Sequence, residues 1–374
     1  MADLSVSRPG PWDSPPRHAA SEPPRHAAPG PGATGEKAGQ SVEPAETAEI
    51  WPVLLPDKHR PADPDASRPP STIGDPGRAH AEVRPRLRAD PSQPPDTVSD
   101  HGTAGALDVR AASVRGLSHR ESGAPRQDAY GLAVTADERF LIVAVADGVS
   151  AGPLSHVAAS FVARRGPRDV ARRLDSGVAP GSLPWPEIFT ALAGTIIAEG
   201  ARSLCRAEPA RYAATAPSEE EVAAAMATTA TFLVCPVGPA LGAVREVQVA
   251  WLGDSPVWAL DPAGGWHNLS AIKGFGEEVG SSGVVALPQV PRDPADLPHA
   301  CCPVPDDWTL LVMTDGTGDP LGPGQGEVAA RLAGWWRRPP PPLLFTEQVG
   351  FGRRSYDDDR TVVAVWPSGA RDPG

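Results

Sequence analysis

The chain has 374 residues, 40% of them hydrophobic, and carries a formal charge of −12 at neutral pH. An acidic balance without any basic cluster argues against nucleic acid or an anionic membrane surface as partner, because both are held chiefly by Lys and Arg. The N-terminal MADLSVSRPGPWDS lacks an apolar leader core, and no run approaches the roughly 18 apolar residues of a membrane span; the expected location is cytoplasmic, without membrane contact.

Twenty of the 46 prolines fall in the first 100 residues, which hold two tryptophans, no phenylalanine and no tyrosine, and repeat PPRHAA at 15–20 and 23–28. Such a segment buries too little apolar surface to offset its chain entropy. Residues 1–105 are therefore expected to be a disordered Pro-rich tail, 106–368 one folded domain, and 369–374 a short flexible C-terminus. The four cysteines, at 205, 235, 301 and 302, lack CxxC spacing and read as reduced thiols.

Within the folded part, short Val/Leu/Ile/Trp-rich runs predict strands at 107–117, 130–135, 140–146, 228–235, 246–252, 256–260, 309–314 and 361–366. Helices are expected from about 153 to 165, broken at Pro167 and resuming through Leu174, then over 187–204 and 219–226. The last opens on Ser218 and Glu221, the spacing of a capping box. Strands, then helices, then strands, without βαβ alternation, predict an α+β fold on antiparallel sheets with helices outside. The PPPP run at 339–342 reads as a connection within the domain, and His156 as a structural residue at a helix start.

Aspartates recur where apolar strands end or begin. FLIVAVADG ends in Asp147-Gly148, TLLVMTDG in Asp315-Gly316, and VQVAWLGDS in Asp254; Asp128 precedes one strand and DDDRT opens the last. One Asp-Gly after a strand is an ordinary turn. Several at one edge of a sandwich would form a carboxylate cluster that needs cations, and hard oxygen donors without His or Cys clustering point to Mg²⁺ or Mn²⁺ rather than zinc.

GLSHRESGAPRQDAY, VAVADGVSAG, ATTATFLV, VAWLGDSPVWAL, LLVMTDGTGD and DDRTVVAV resemble, in order and spacing, the motifs of metal-dependent (PPM, type 2C) protein serine/threonine phosphatases, over about residues 108–367 and nearest the divergent bacterial branch. The resemblance implies a four-layer α-β-β-α sandwich of two antiparallel sheets flanked by helices, with two Mn²⁺ or Mg²⁺ ions at one end and a third, weaker site. It implies hydrolysis of phosphoserine and phosphothreonine in a phosphoprotein, the product of a Ser/Thr kinase, by a hydroxide bridging the metals. A monomer is expected. Position by position, Asp147, Asp315 and Asp358 match charged metal ligands and Gly148 a carbonyl ligand. Asp128 matches an aspartate beside the metals, Asp359 the polar neighbour of Asp358, and Asp319 the third-site position.

Gln127 stands where many members have a metal-binding glutamate, Val149 where some have a histidine general acid, and Gly123 where eukaryotic members grip phosphate with arginine. Protonation of the departing oxygen then falls to water or another group. Arg120 and Arg126, with His119, are the nearby candidates for holding phosphate. The competing expectation, raised by Gln127, is a catalytically weak or silent relative that binds phosphoproteins or regulates a partner.

Overall fold

Alternation along each central strand decides the architecture. In β4 (Phe140–Ala146), Leu141, Val143 and Val145 face one apolar core while Ile142, Ala144 and Ala146 face another. In β11 (Arg360–Pro367), Val363 and Val365 share the first of these cores, and Val362, Ala364 and Trp366 enter a third. Side chains on a strand point alternately to opposite faces, so a strand that is apolar at every position must be covered on both sides. The result is four layers.

The computed structural model describes residues 72–75, 93–238, 243–270 and 285–368, all within one unit, Pro61–Gly374. One antiparallel sheet runs β1-β2-β11-β10-β7-β8, with β1 at Thr97–Ala104, β2 at Leu107–Val114, β7 at Val257–Leu260, β8 at Trp266–Asn268 and β10 at Thr309–Met313. The other runs β3-β4-β5-β6-β9, with β3 at Ala129–Val134, β5 at Ala230–Pro236, β6 at Val244–Leu252 and β9 at His299–Pro305. Helices α2 (Ser155–Asp175) and α3 (Trp185–Ala207) share a core with the five-stranded sheet. Residues of α5 (Asp315–Leu321), α6 (Gly326–Trp336) and α7 (Pro342–Val349) share one with the six-stranded sheet. Two short helices complete the set described: α1 (Leu117–Ser122) and α4 (Glu219–Ala225), the latter with both halves of the Ser218/Glu221 capping box formed. The α+β sandwich is thus as expected.

Four details differ from expectation. Strands β1, β8 and β9 were not foreseen, and all three are sheet edges. An edge strand is held by main-chain pairing along one side and needs no apolar alternation: β1 reads TVSDHGTA, and β9 carries Pro303 and Pro305. The boundary placed at 106 is therefore corrected, because β1 pairs with β2 along its whole length. Upstream, Ile73 is only 1% exposed and sits in the core of α6 and α7, with its N–H on the Gly352 carbonyl at 3.1 Å. The remaining tail, 1–71 and 76–92, and the C-terminus 369–374 lie outside the described residues.

Pro167 does not break α2, which runs continuously through it. A proline inside a helix leaves the carbonyl four residues back without its donor. Here that carbonyl, of Ala163, lies against Gly131 of β3, where a Cβ would stand 1.7 Å from the oxygen. Only glycine permits that approach. Finally, α3 is long and apolar enough, by length and composition, to cross a membrane, with hydropathy 1.3. Its Trp185, Ile188, Phe189, Leu192 and Ile196 are instead buried in the helix–sheet core.

Ile73→Ala should cost roughly 2–4 kcal/mol, the usual range for emptying a buried aliphatic site. Chemical denaturation of the full chain checks it; an unchanged midpoint would show that the segment 72–75 does not pack on the domain in solution.

Candidate metal centre

The aspartates singled out in the sequence come to one end of both sheets. Asp147 follows β4 and Asp128 precedes β3 in the five-stranded sheet, while Asp315 follows β10 and Asp358 precedes β11 in the six-stranded one. The Asp147 and Asp315 carboxyls reach hydrogen-bonding range of each other across the two sheets, with Asp128 and Asp358 close enough to act on Asp147. Asp319 lies one helical turn beyond Asp315 on α5 and is exposed. Asp254 sits in the β6–β7 turn.

Asp147 is fixed through its backbone. The Asp147 N–H donates to the Thr229 hydroxyl at 2.9 Å, and the Asp147 carbonyl accepts from the Thr228 hydroxyl at 2.8 Å and the Thr229 N–H at 2.7 Å. Thr229 in turn hydrogen-bonds the Ser255 hydroxyl at 3.0 Å. The TT of ATTATF and the serine of GDSP therefore act by holding the peptide units on both sides of the Asp147 Cα. Gly316 lets the start of β11 come close, since a Cβ there would lie 1.9 Å from the Asp359 carbonyl oxygen. Gly116 does the same beneath the acidic run, where a Cβ would stand 2.2 Å from the carbonyl carbon of Asp358.

The three adjacent aspartates divide their work. Asp359 is 2% exposed and ties the chain ahead of β3 to β11: its two oxygens accept from the Gly116 N–H at 2.6 Å and the Gln127 N–H at 2.5 Å, and His119 Nδ1 lies 2.9 Å away. Asp358 remains half-exposed and lies 3.9 Å from His119. Asp357 offers its backbone carbonyl to the N–H and hydroxyl of Ser118, both at 2.9 Å. His119, Asp358 and Asp359 bring one ligand atom each within 4.8 Å of one another. His119 was weighed only as a phosphate contact. Its proximity to the carboxylates needs the α1 loop folded against β11, and no local pattern announces that.

Asp128 is buried in a net of hydroxyls. One of its oxygens accepts from Thr314 and Thr361, each at 2.8 Å, and Thr361 also meets Ser113 at 2.6 Å. Arg126 closes the net. It was a candidate for gripping phosphate, and the structure corrects this: it is 4% exposed and donates to Ser113, to the Asp128 carbonyl at 2.8 Å and to the Pro95 carbonyl at 3.0 Å. A buried guanidinium must find acceptors inside the protein, and this one has them. Arg120, the other candidate, lines a cavity bordered by Asp357. Val149 is 37% exposed. A cavity of about 910 Å³ opens elsewhere, beside Leu260, Thr309 and Pro367 at the opposite strand ends, and contains none of these carboxylates.

Burial raises Asp128 and Asp147 well above the ordinary carboxylate range and raises Asp358 as well. Neighbouring carboxylates push further: Asp359 and Asp358 on Asp128, Asp128 and Asp315 on Asp147, Asp359 and Asp315 on Asp358. For His119, burial acts downward, but Asp359 and Asp358 carry it above its usual value. Repelling carboxylates withdrawn from water favour either protons or a cation. The donor set fits a hard divalent ion: carboxylate oxygens, the adjoining Gly148, and the Gln127 Oε1, which is buried and accepts no hydrogen bond.

The sign for stability follows. A folded carboxyl with a raised pKa holds protons that the unfolded chain releases, so stability falls as pH rises above the ordinary value near 4. His119, also raised, adds stability that is complete below about 6.5 and is lost as pH rises through its folded value. The chelated protein should therefore melt at a lower temperature at pH 8 than at pH 5.5, and saturating Mn²⁺ should raise the melting temperature more at pH 8. A flat profile in chelator would show that the carboxylates are not crowded as described.

No protein of curated function matches the sequence. Among solved structures, the chain is similar to RsbX in complex with magnesium (13% identity, 72% of this chain and 99% of that one, TM-score 0.39). It is similar to the S. agalactiae serine/threonine phosphatase (15%, 70% and 99%, 0.45). A third is PppA, described as a key regulatory component of T6SS in Pseudomonas aeruginosa (18%, 71% and 99%, 0.42). Residues 115–341 match the family model for protein phosphatase 2C, a span from the end of β2 to the entrance of α7 that includes Asp128, Asp147 and Asp315, and the chain belongs to that family.

Proposed function

We propose that the protein is a divalent-metal-dependent phosphatase acting on phosphoserine and phosphothreonine in a protein substrate, as a monomer in the cytosol. The observation that carries this reading is the meeting of Asp147 and Asp315 from opposite sheets, with Asp128 and Asp358 alongside, in surroundings that raise three of the four. Asp147, Asp315 and Asp358 would hold Mn²⁺ or Mg²⁺ with the Gly148 carbonyl, and Asp319 is placed for a weaker third ion. Bound there, such ions supply Lewis-acid activation of water and charge neutralisation at the phosphoryl oxygens.

The chain's own part is positioning. Thr228, Thr229 and Ser255 fix the backbone of Asp147, and Thr314 and Thr361 hold one oxygen of Asp128. Gln127 keeps a neutral acceptor where the family often has a charge, which lowers the anionic character of the second site without removing its donor. With Val149 in place of an imidazole, no acid is supplied from that position.

Purified protein should hydrolyse a phosphoserine peptide in millimolar Mn²⁺ and stop in chelator; activity that survives chelation defeats the reading. Absence of turnover with retained phosphopeptide binding would favour a regulatory module instead.

The acidic run gives a sharper test. Asp358→Ala should remove nearly all turnover while leaving the fold intact. Asp359→Ala leaves two backbone N–H groups without their acceptor and His119 without the carboxylate beside it, so it should destabilise by about 2–3 kcal/mol as well as slow turnover. Asp357→Ala, whose carbonyl rather than carboxylate does the structural work, should stay near wild type. Melting curves and kinetics of the three variants decide it, and equal effects at all three positions would refute the division.

A further inference from the structure

Four arginines meet on the flank of the carboxylate cluster. A cavity of about 200 Å³ is lined by Arg115, Arg120, Arg353 and Arg360, with Tyr356 and Asp357 at its border. Three of these guanidiniums have partners inside the protein. Arg115 reaches Asp96 at 3.2 Å and the His119 carbonyl at 2.7 Å. Arg353 pairs with Glu327 at 3.2 Å, and Arg360 donates to the Gly316 and Tyr356 carbonyls at 2.9 and 2.5 Å. Even so, the Nε of Arg115, on a residue only 2% exposed, has no acceptor. Arg120 is less committed still: among the described residues no carboxylate pairs with it, and its Nε is likewise buried without a partner.

Buried N–H groups of a guanidinium left without acceptors carry the cost of lost hydration with nothing to offset it. Arg115 and Arg120, the two residues that carry them, both line one small cavity, and together they describe a place for an oxyanion. The guanidinium fork matches a phosphate or carboxylate in particular. The position is informative too. Asp357 borders the cavity and Asp358, the next residue, belongs to the carboxylate cluster, so the two sites adjoin along the chain. A peptide with its phosphoserine at the metals would place an adjacent side chain over the arginines.

We infer that this cavity is a second anion site, which takes the phosphate or carboxylate of a residue flanking the phosphoserine under hydrolysis and so selects acidic or multiply phosphorylated peptides. The inference rests on the phosphatase reading, and its test is arranged to separate the two. Three phosphoserine peptides of one sequence would be compared, with the flanking position occupied by glutamate, by a non-hydrolysable phosphonate analogue of phosphoserine, or by glutamine. The enzymes are wild type, R120Q and R120K, all in saturating Mn²⁺.

Wild type should favour the two anionic peptides over the glutamine peptide by about 10-fold or more in kcat/KM, mainly through KM, as expected for a charge-assisted hydrogen bond. R120Q should bring that ratio to about 1, and R120K should recover part of it. Preference for the phosphonate alone would identify the ligand as a phosphate; equal preference would identify it as any side-chain anion. A ratio near 1 in wild type, or the same ratio in wild type and R120Q, overturns the proposal. If none of the peptides is hydrolysed, the phosphatase reading fails, and the cavity is judged separately by titrating inorganic phosphate into the chelated protein. Wild type should then bind, and R120Q should bind at least about 10-fold more weakly. Absence of binding by wild type, or equal binding by the two, rejects the site.

Discussion

The carboxylate of Asp359 is the interaction on which the functional end of the molecule depends. It is almost wholly buried and accepts from the Gly116 and Gln127 N–H groups, with His119 Nδ1 2.9 Å away. Those three groups span the loop from the end of β2 to the start of β3, while Asp359 itself precedes β11. One anion therefore fixes the distance between two sheets' worth of chain. Asp358 and Asp128, on either side of that tie, take their places from it. Gly116 and Gly316 are the steric half of the same constraint, because any side chain at either position would push the acidic run away.

The layering explains why so much charge is tolerated there. Strands β4, β5, β10 and β11 are apolar on both faces and lie between helices and the opposing sheet. Close-packed interiors of that kind resist displacement. Their ends are where such strands meet water, so polar groups that must be held rigidly, yet be reached by solvent and substrate, belong at the ends. The cost is that nearby backbone and side chains withdraw the carboxylates from water, which is the first cause of the raised pKa at Asp128, Asp147 and Asp358. A bound cation reverses the sign of that cost.

The positive charge near DDDRT is divided by function. Arg126 and Arg360 are buried and bonded to carbonyls; burial pushes Arg360 down to about 10, and its guanidinium lies 4.4 Å over the Phe351 ring. They brace the backbone and are closed to a ligand. His119 faces Asp358 and Asp359. Arg120 is left without an ion pair among the described residues, which is the physical basis for giving it a separate role. Residues that look alike in sequence, three arginines and a histidine within a few positions of the same motifs, are distinguished only by how deeply each is buried and what it touches.

Much of the molecule was legible in the residues themselves. Central strands announced themselves because a strand covered on both faces must be apolar at nearly every position, as FLIVAVA and TVVAVW are. Asp147 and Asp315 were legible because Asp-Gly at strand ends is a local pattern. The capping box at Ser218 and Glu221 is likewise contained in four residues. What the sequence could not settle depends on partners distant in the chain. Edge strands β1, β8 and β9 exist through one neighbour's main chain and so carry no side-chain periodicity. Pro167 reads as a helix breaker until Gly131, 36 positions earlier, is seen against the carbonyl it frees. Arg126 reads as a phosphate contact until Ser113, Asp128 and Pro95 are found to occupy it. Ile73 reads as part of a Pro-rich tail until the core beside Gly352 encloses it. Local chemistry determined which residue types stand at the functional end, and tertiary packing alone decided which carboxylates are crowded together, which groups are braces and which remain free, because burial and hydrogen-bond partnership are properties of contacts between segments.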